Sequence, residues 1–247
     1  MECGGVLKSW ILQCISLPQD EFFNRLVLKI DDYFLTVNSN GGVITSQHLK
    51  NKNKAKGDLF EYMCLVLIKN NAFKQINCQE AYLFKDIPNE YREKFGFKNK
   101  DMGIDIIVRT TSDEWLAVQC KYKKKPKSSR APNGMYINHQ VPWKTLSTFY
   151  SLCERTGPTG PIDRTGGWRK HVVMTTAESI SRQGRSRNDK DLSICLGTFR
   201  GLNKEEWFKF IGDNGHTLCD TKKEELYEVQ VDLNELRMKR LALYEKK

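Results

Sequence analysis

The chain has 247 residues, 39% of them hydrophobic and 11% aromatic, and its 40 Lys+Arg against 30 Asp+Glu give a net charge of +10. This is enough chain for one large domain, or a core with extensions, and the basic balance favours a polyanionic partner, most simply nucleic acid. No apolar run reaches about 18 residues, which excludes a transmembrane helix and gives no membrane partner; the start, MECGGVLKSWILQC, is too short and too weakly basic for a signal peptide. Eight cysteines without a CxxC pair, several in apolar runs, read as free thiols in an intracellular, reducing compartment (cytoplasm or nucleus). His216 and Cys219 have a ligand-like spacing but no second pair, so a zinc site is not expected.

Residues 1–50 read as a helical N-terminal extension. A helix over Gln19–Leu35 carries a broad apolar stripe of Phe22, Phe23, Leu26, Val27, Ile30, Tyr33 and Phe34. It either packs on the core, which is the favoured reading, or forms an arm for DNA or a partner. Gly57–Asn70 is the next helix, with Phe60, Met63, Cys64, Leu67 and Ile68 at core-facing spacing and Asp58 near its start, where it suits the helix dipole. Glu61 lies beside this stripe, in line with Leu65 and Ile68, at the rim of the core; an edge salt bridge is its structural explanation. A first strand is expected at Ala81–Phe84, then a loop with a short helix over Asp86–Lys100.

The stretch Asp101–Lys125, DMGIDIIVRTTSDEWLAVQCKYKKK, reads as two adjacent strands, Met102–Thr110 and Trp115–Tyr122, joined by the turn TTSDE. Period-2 alternation puts Trp115, Ala117, Gln119 and Lys121 on one face and Leu116, Val118 and Cys120 on the other, with Asp105 sharing a face with Gly103 and Ile107. A carboxylate in an apolar strand needs compensation. Two explanations remain open on these residues: a divalent metal held by Asp105 and Gln119 with Lys121 beside it, or an Asp105–Lys121 ion pair across a hairpin.

Tyr122–Arg130 carries Lys123, Lys124, Lys125, Lys127 and Arg130 and no acid; it reads as a loop, either solvated or in contact with phosphate. His139 is read as an unremarkable loop histidine. Val141–Glu154 is a helix with Pro142 near its start, Thr156–Gly167 a Gly/Pro loop, and KHVVMTT (170–176) a short buried strand. Ser181–Lys190 holds Arg182, Arg185 and Arg187, a second phosphate-contacting segment or a solvated loop. Leu192–Gly197 is the last core strand and Leu202–Ile211 a helix; beyond it a strand over Leu226–Val231 and a basic helix over Asn234–Tyr244 are expected.

Gly103-Ile104-Asp105 on one strand and Gln119-Cys120-Lys121 on the next resemble the PD-(D/E)XK nuclease superfamily, and within it the Mrr-like restriction endonuclease branch, which commonly has Gln where the superfamily consensus has an acid. No Pro precedes Asp105, a departure from the consensus that is common in this branch. Gly57-x-x-Phe60-Glu61 is similar to the first helix of Mrr-like nucleases, whose Glu completes the acidic cluster, and KHVVMTT to the strand that follows their signature pair. The resemblance spans about Lys56 to Gly212. It implies an α/β fold: a restriction-endonuclease-like core at residues 51–212, with a central mixed β-sheet flanked by helices, the helical extension at 1–50 and a mixed C-terminal extension at 213–247.

It also implies a metal-dependent DNA endonuclease. Asp105 would be the central ligand of Mg²⁺ (or Mn²⁺), with Glu61 a further ligand acting through water, the Gln119 side-chain carbonyl and the main-chain carbonyl of Cys120; Lys121 would orient the attacking water and stabilise charge. Gln in place of an acid removes one negative charge and weakens metal affinity. DNA contacts would come from Lys123, Lys124, Lys125, Lys127, Arg130, Arg182, Arg185 and Arg187. No GxxxxGK[ST] loop is present, so cleavage by this chain should not need ATP. A homodimer would suit double-strand cutting, since two cuts need two sites. The competing readings are a non-catalytic nucleic-acid-binding module on the same fold and a structural protein with solubilising basic loops. RNA also stays open, because phosphate contacts do not identify the sugar.

Overall fold

The computed structural model describes residues 3–36, 46–97, 103–126, 139–158, 167–181 and 191–212. Three helices come first: α1 (Cys3–Cys14), α2 (Gln19–Thr36) and α3 (Ser46–Lys69). Next are β1 (Cys78–Leu83), a 3-10 turn (Phe84–Asp86), α4 (Asn89–Lys94), β2 (Ile106–Thr110) and β3 (Trp115–Lys121). Then follow β4 (Gln140–Val141), α5 (Trp143–Cys153), β5 (Lys170–Thr175), β6 (Ser179–Ile180), β7 (Asp191–Ile194), α6 (Leu196–Arg200) and α7 (Lys204–Gly212). Contacts divide the chain into residues 1–210 and residues 211–247. The strand and helix expected beyond Leu226 lie outside the described residues.

The sheet has the order β1-β2-β3-β5-β7. β1, β2 and β3 run antiparallel, while β5 and β7 run parallel to β3. β4 and β6 form a small parallel pair of their own. This is the central mixed sheet flanked by helices that the resemblance implies.

Alternation along β3 builds the two faces. Trp115 and Ala117 join Ile107 of β2, Val173 of β5, and Leu146, Phe149 and Cys153 of α5 in one core cluster. Cys120 points the other way, where its thiol meets that of Cys64 on α3. Each fully buried Leu or Phe here contributes about 1.5–3 kcal/mol, so α5 and α3 hold the sheet from opposite sides.

α3 ends where its sequence dictates. Asn71 takes the left-handed conformation (φ 52°), tolerable for Asn, while the Ala72 and Asn71 N–H groups donate to Leu67 and Ile68 carbonyls. The Asn71 Oδ1 then accepts the Cys78 N–H at 2.6 Å, which fixes the start of β1. At its other end α3 begins at Ser46, well before Gly57, so Asp58 lies inside the helix and not in its first turn. β1 is likewise longer than the expected Ala81–Phe84.

α2 matches its expected span and packs on the core. Phe23 stacks on Phe199 of α6 at 5.0 Å, and Phe22 meets Trp207 of α7 at 5.1 Å. Lys56 of α3 reaches the Asp31 carboxylate of α2 at 2.6 Å, with both groups buried. α1 buries Leu7, Ile11 and Cys14 on one face, and Gly4 lies against Tyr62 of α3, whose hydroxyl would have to move aside for a Cβ there.

Candidate active site

β2 and β3 bring the signature residues together. The backbone N–H of Asp105 donates to the Val118 carbonyl at 2.9 Å, and its carbonyl accepts from the Phe84 N–H at 2.8 Å. Asp105 thus sits between β1 and β3, one residue before β2 begins, and not inside a strand starting at Met102. Its carboxylate Oδ2 accepts the Cys120 backbone N–H at 2.6 Å and the Gln119 side-chain amide. Asp105 is 5% and Gln119 1% exposed.

Gly103 leads into this segment in a conformation that favours glycine. Its φ of +120° is a conformation L side chains rarely adopt. A Cβ there would lie 3.4 Å from the Phe149 backbone nitrogen and 3.5 Å from Gln119 Oε1. Both are ordinary contact distances, so it is the backbone conformation, two residues before Asp105, that calls for glycine.

Glu61 enters from the opposite side of the sheet. It is half-buried on α3, one turn before Cys64. Burial pushes the Cys64 and Cys120 thiols up, that of Cys120 well above its ordinary range, and the charges of both Glu61 and Asp105 add to the effect. The charges of both carboxylates therefore reach the Cys64–Cys120 contact, that of Glu61 from the helix and that of Asp105 from the sheet. The raised thiols stay protonated at neutral pH, so Cys120 offers a site its main-chain oxygen rather than a thiolate.

Lys121 ends β3, half-buried, opposite Thr175 of β5 in the ladder. Across the strand pair the Asp105 carboxylate meets the Gln119 amide and the Cys120 N–H. Lys123, Lys124 and Lys125 follow as an exposed extended segment. Lys127, Arg130, Arg182, Arg185 and Arg187 lie outside the described residues. Among the described residues no group of three or more His, Cys, Asp or Glu side chains is placed to hold a metal ion. No described helix is long and apolar enough to cross a membrane.

Several polar residues around β3 went unread in the sequence. Thr175 Oγ1 donates to the Lys121 carbonyl at 2.7 Å, and Thr176 Oγ1 bonds both the N–H and the carbonyl of Lys123, at 2.7 and 2.9 Å. His139 is buried, with Nε2 3.1 Å from the same Lys123 carbonyl. The two threonines closing the apolar run KHVVM were the available signal; nothing local marks His139. Tyr122 lies between Lys121 and Lys123, its hydroxyl donating to the Val27 carbonyl of α2 at 3.3 Å and its ring 5.9 Å from the buried Lys56 ammonium.

Residues 69–205, more than half of the chain, match a family of Mrr catalytic type described as "Restriction endonuclease". The match takes in Asp105, Gln119, Lys121 and the lysines that follow, while Glu61 precedes it. No curated protein and no solved structure matches the chain. Fold, strand signature and family match agree: the chain belongs to the Mrr-like restriction endonucleases of the PD-(D/E)XK nuclease superfamily.

Proposed function

We propose that this nuclease is a metal-dependent DNA endonuclease that hydrolyses phosphodiester bonds at Asp105, Gln119 and Lys121, with Glu61 completing the site. The observation that carries the reading is the buried contact of Asp105 with Gln119 and Cys120 at the end of β3, two residues and one residue before Lys121.

The donor set suits a hard divalent cation, Mg²⁺ or Mn²⁺: two carboxylates, an amide oxygen and a main-chain carbonyl, all oxygen. Asp105 would be the central ligand, with Glu61, the Gln119 carbonyl and the Cys120 carbonyl beside it. Gln119 turns its NH₂ toward Asp105, the orientation a carboxylate alone favours. As an oxygen donor it would present the other end of the same amide. Bound there, the ion supplies Lewis-acid charge to the phosphate and lowers the pKa of a water. Lys121 orients the attacking water and stabilises charge developing on phosphate oxygen. Lys123, Lys124 and Lys125 take adjacent phosphates, and Lys127, Arg130, Arg182, Arg185 and Arg187 extend that contact.

A non-catalytic DNA-binding module on the same fold is the second reading. It is favoured by the lack, among the described residues, of three clustered acids, Cys or His. Cleavage of supercoiled plasmid with Mg²⁺, Mn²⁺ or EDTA, beside Lys121→Ala and Asp105→Ala, separates the two. Metal-dependent nicking or linearisation abolished by both substitutions supports the endonuclease. Intact plasmid together with salt-sensitive binding, on junction and flap substrates as well, supports the binding module.

A further inference from the structure

Where β3 runs out, its backbone is held by side chains instead of by a neighbouring strand. β5 ends at Thr175, opposite Lys121. The Thr175 hydroxyl donates to the Lys121 carbonyl at 2.7 Å and accepts the Ala177 N–H at 3.0 Å, so it takes over as the ladder stops. One residue on, the Thr176 hydroxyl accepts the Lys123 N–H at 2.7 Å and donates to the Lys123 carbonyl at 2.9 Å. A single side chain thus serves both backbone groups of one residue, as a paired strand would. His139 Nε2 reaches the same carbonyl at 3.1 Å, and the His139 carbonyl accepts the Glu178 N–H at 2.9 Å, which ties the histidine back to the segment bearing the threonines.

Burial makes these contacts informative. Thr175 is 0%, Thr176 1% and His139 6% exposed, while the side chains of Lys123, Lys124 and Lys125 stand in solvent. Three buried polar groups therefore fix the main chain of a segment whose own side chains are exposed charges. Buried hydroxyls bond dependably because a buried partner left unsatisfied is costly. The grip falls on Lys121 and Lys123 and skips Tyr122, which α2 and α3 hold instead.

We infer that Thr175 and Thr176, the latter with His139, are positioning residues with divided tasks: Thr175 sets the Lys121 ammonium for the chemical step, and Thr176 with His139 aims the Lys123–Lys125 segment at the DNA backbone. The Thr175 task rests on the catalytic reading of Lys121; the Thr176 task rests only on DNA binding. A purely structural role would weaken folding and lower all activities together, whereas divided tasks separate the chemical step from affinity.

The experiment uses the full chain with Thr175→Val, Thr176→Val, the hydroxyl-retaining Thr175→Ser and Thr176→Ser, and Lys121→Ala. Affinity for a fluorescein-labelled DNA duplex is measured by anisotropy in EDTA across a salt series, single-turnover cleavage at saturating DNA with Mg²⁺, and melting temperature for each protein. Thr176→Val should weaken duplex binding by about 5–10-fold, the effect of one net hydrogen bond, with a shallower salt dependence and a smaller change in the cleavage rate. Thr175→Val should slow cleavage by a similar factor with affinity within about twofold, as expected for a loss confined to the chemical step. Both serine variants should recover most of the wild-type behaviour. If either valine variant lowers rate and affinity by a common factor that follows its loss of folded protein, or if Thr176→Val slows cleavage while binding normally, the division of tasks is overturned. If Lys121→Ala cleaves like wild type, the catalytic reading of Lys121 and the Thr175 task fall together, and the anisotropy series still decides the Thr176 task.

Discussion

Two buried aspartates show how differently this fold uses the same side chain. Asp31 and Asp105 are each 5% exposed. Asp31, on α2, meets the Lys56 ammonium of α3 at 2.6 Å, a charge neutralised by an opposite charge and enclosed by helices. Asp105 takes two amide donors on one oxygen, the Cys120 N–H and the Gln119 NH₂, at the open end of β3 and within electrostatic reach of the thiols that also feel Glu61. The first arrangement stabilises a junction between helices. The second holds a carboxylate by amide N–H donors at the place where the proposed function puts a divalent cation.

The same conservative change should therefore have opposite consequences at the two positions. Asp105→Asn keeps an acceptor for Gln119 and Cys120 but removes the charge. Cleavage should fall by about 10³-fold or more, as for the loss of a central electrostatic element of an active site, while denaturant stability moves by less than about 1 kcal/mol. Asp31→Asn leaves the Lys56 charge buried without its partner, which should cost about 3–5 kcal/mol in urea unfolding while the folded fraction cleaves normally. Replacing both partners, Asp31→Leu with Lys56→Met, should restore much of that stability, because two apolar groups carry no desolvation penalty. If Asp105→Asn unfolds the protein and Asp31→Asn abolishes cleavage, the contrast is reversed.

Gly103→Ala should sharpen the site half of the comparison. Forcing a side chain to φ +120° costs about 1–3 kcal/mol, and the strain falls two residues before Asp105, so melting temperature and cleavage should both drop. Replacing Lys123, Lys124 and Lys125 by Gln acts away from both aspartates. It should weaken DNA binding regardless of sequence and reduce the slope of log affinity against log salt by about one unit per lysine lost from a phosphate.

The smallest expected effect is alkaline. Burial pushes the Cys78 thiol up to about 11 from its ordinary 9.0, and the Cys64, Cys120 and Cys153 thiols are raised as well. Burial followed by the Asp31 charge raises the Tyr122 phenol beside the Asp31–Lys56 pair. In each case the fold favours the protonated form. The associated stability is present in full below pH 9.0 for the thiols and below pH 10.0 for the phenol, and is lost as pH rises through the folded values. Melting temperature should be nearly flat from pH 7 to 9 and decline above it.

Much of this was legible along the chain. Period-2 alternation on β3 sorted Trp115 and Ala117 from Cys120 correctly, because each face packs against a different helix. The apolar stripe of α2 marked its span. α3 was read too short because NKNKAK presents no apolar stripe, although it is helical there. α1 was missed because two adjacent glycines weaken any helix reading by about 1 kcal/mol each; burial of Leu7, Ile11 and Cys14 outweighs that cost. Asp31 and Lys56 lie 25 residues apart and Thr176 and Lys123 lie 53 apart, and no local pattern pairs such residues. The pairing of Asp105 with Gln119 was readable because a hairpin brings the two together from nearby in sequence. Glu61 was readable only through resemblance, and it lies outside the matched segment.

The most direct test of the central claim is single-turnover cleavage of a labelled DNA duplex by wild type and Asp105→Asn at matched folded concentrations, with Mg²⁺ and with EDTA. The account predicts cleavage by the wild type with Mg²⁺ alone, and none by an Asp105→Asn variant that melts at the wild-type temperature and still binds the duplex. Cleavage by Asp105→Asn at the wild-type rate, or equal cleavage in EDTA, would contradict it.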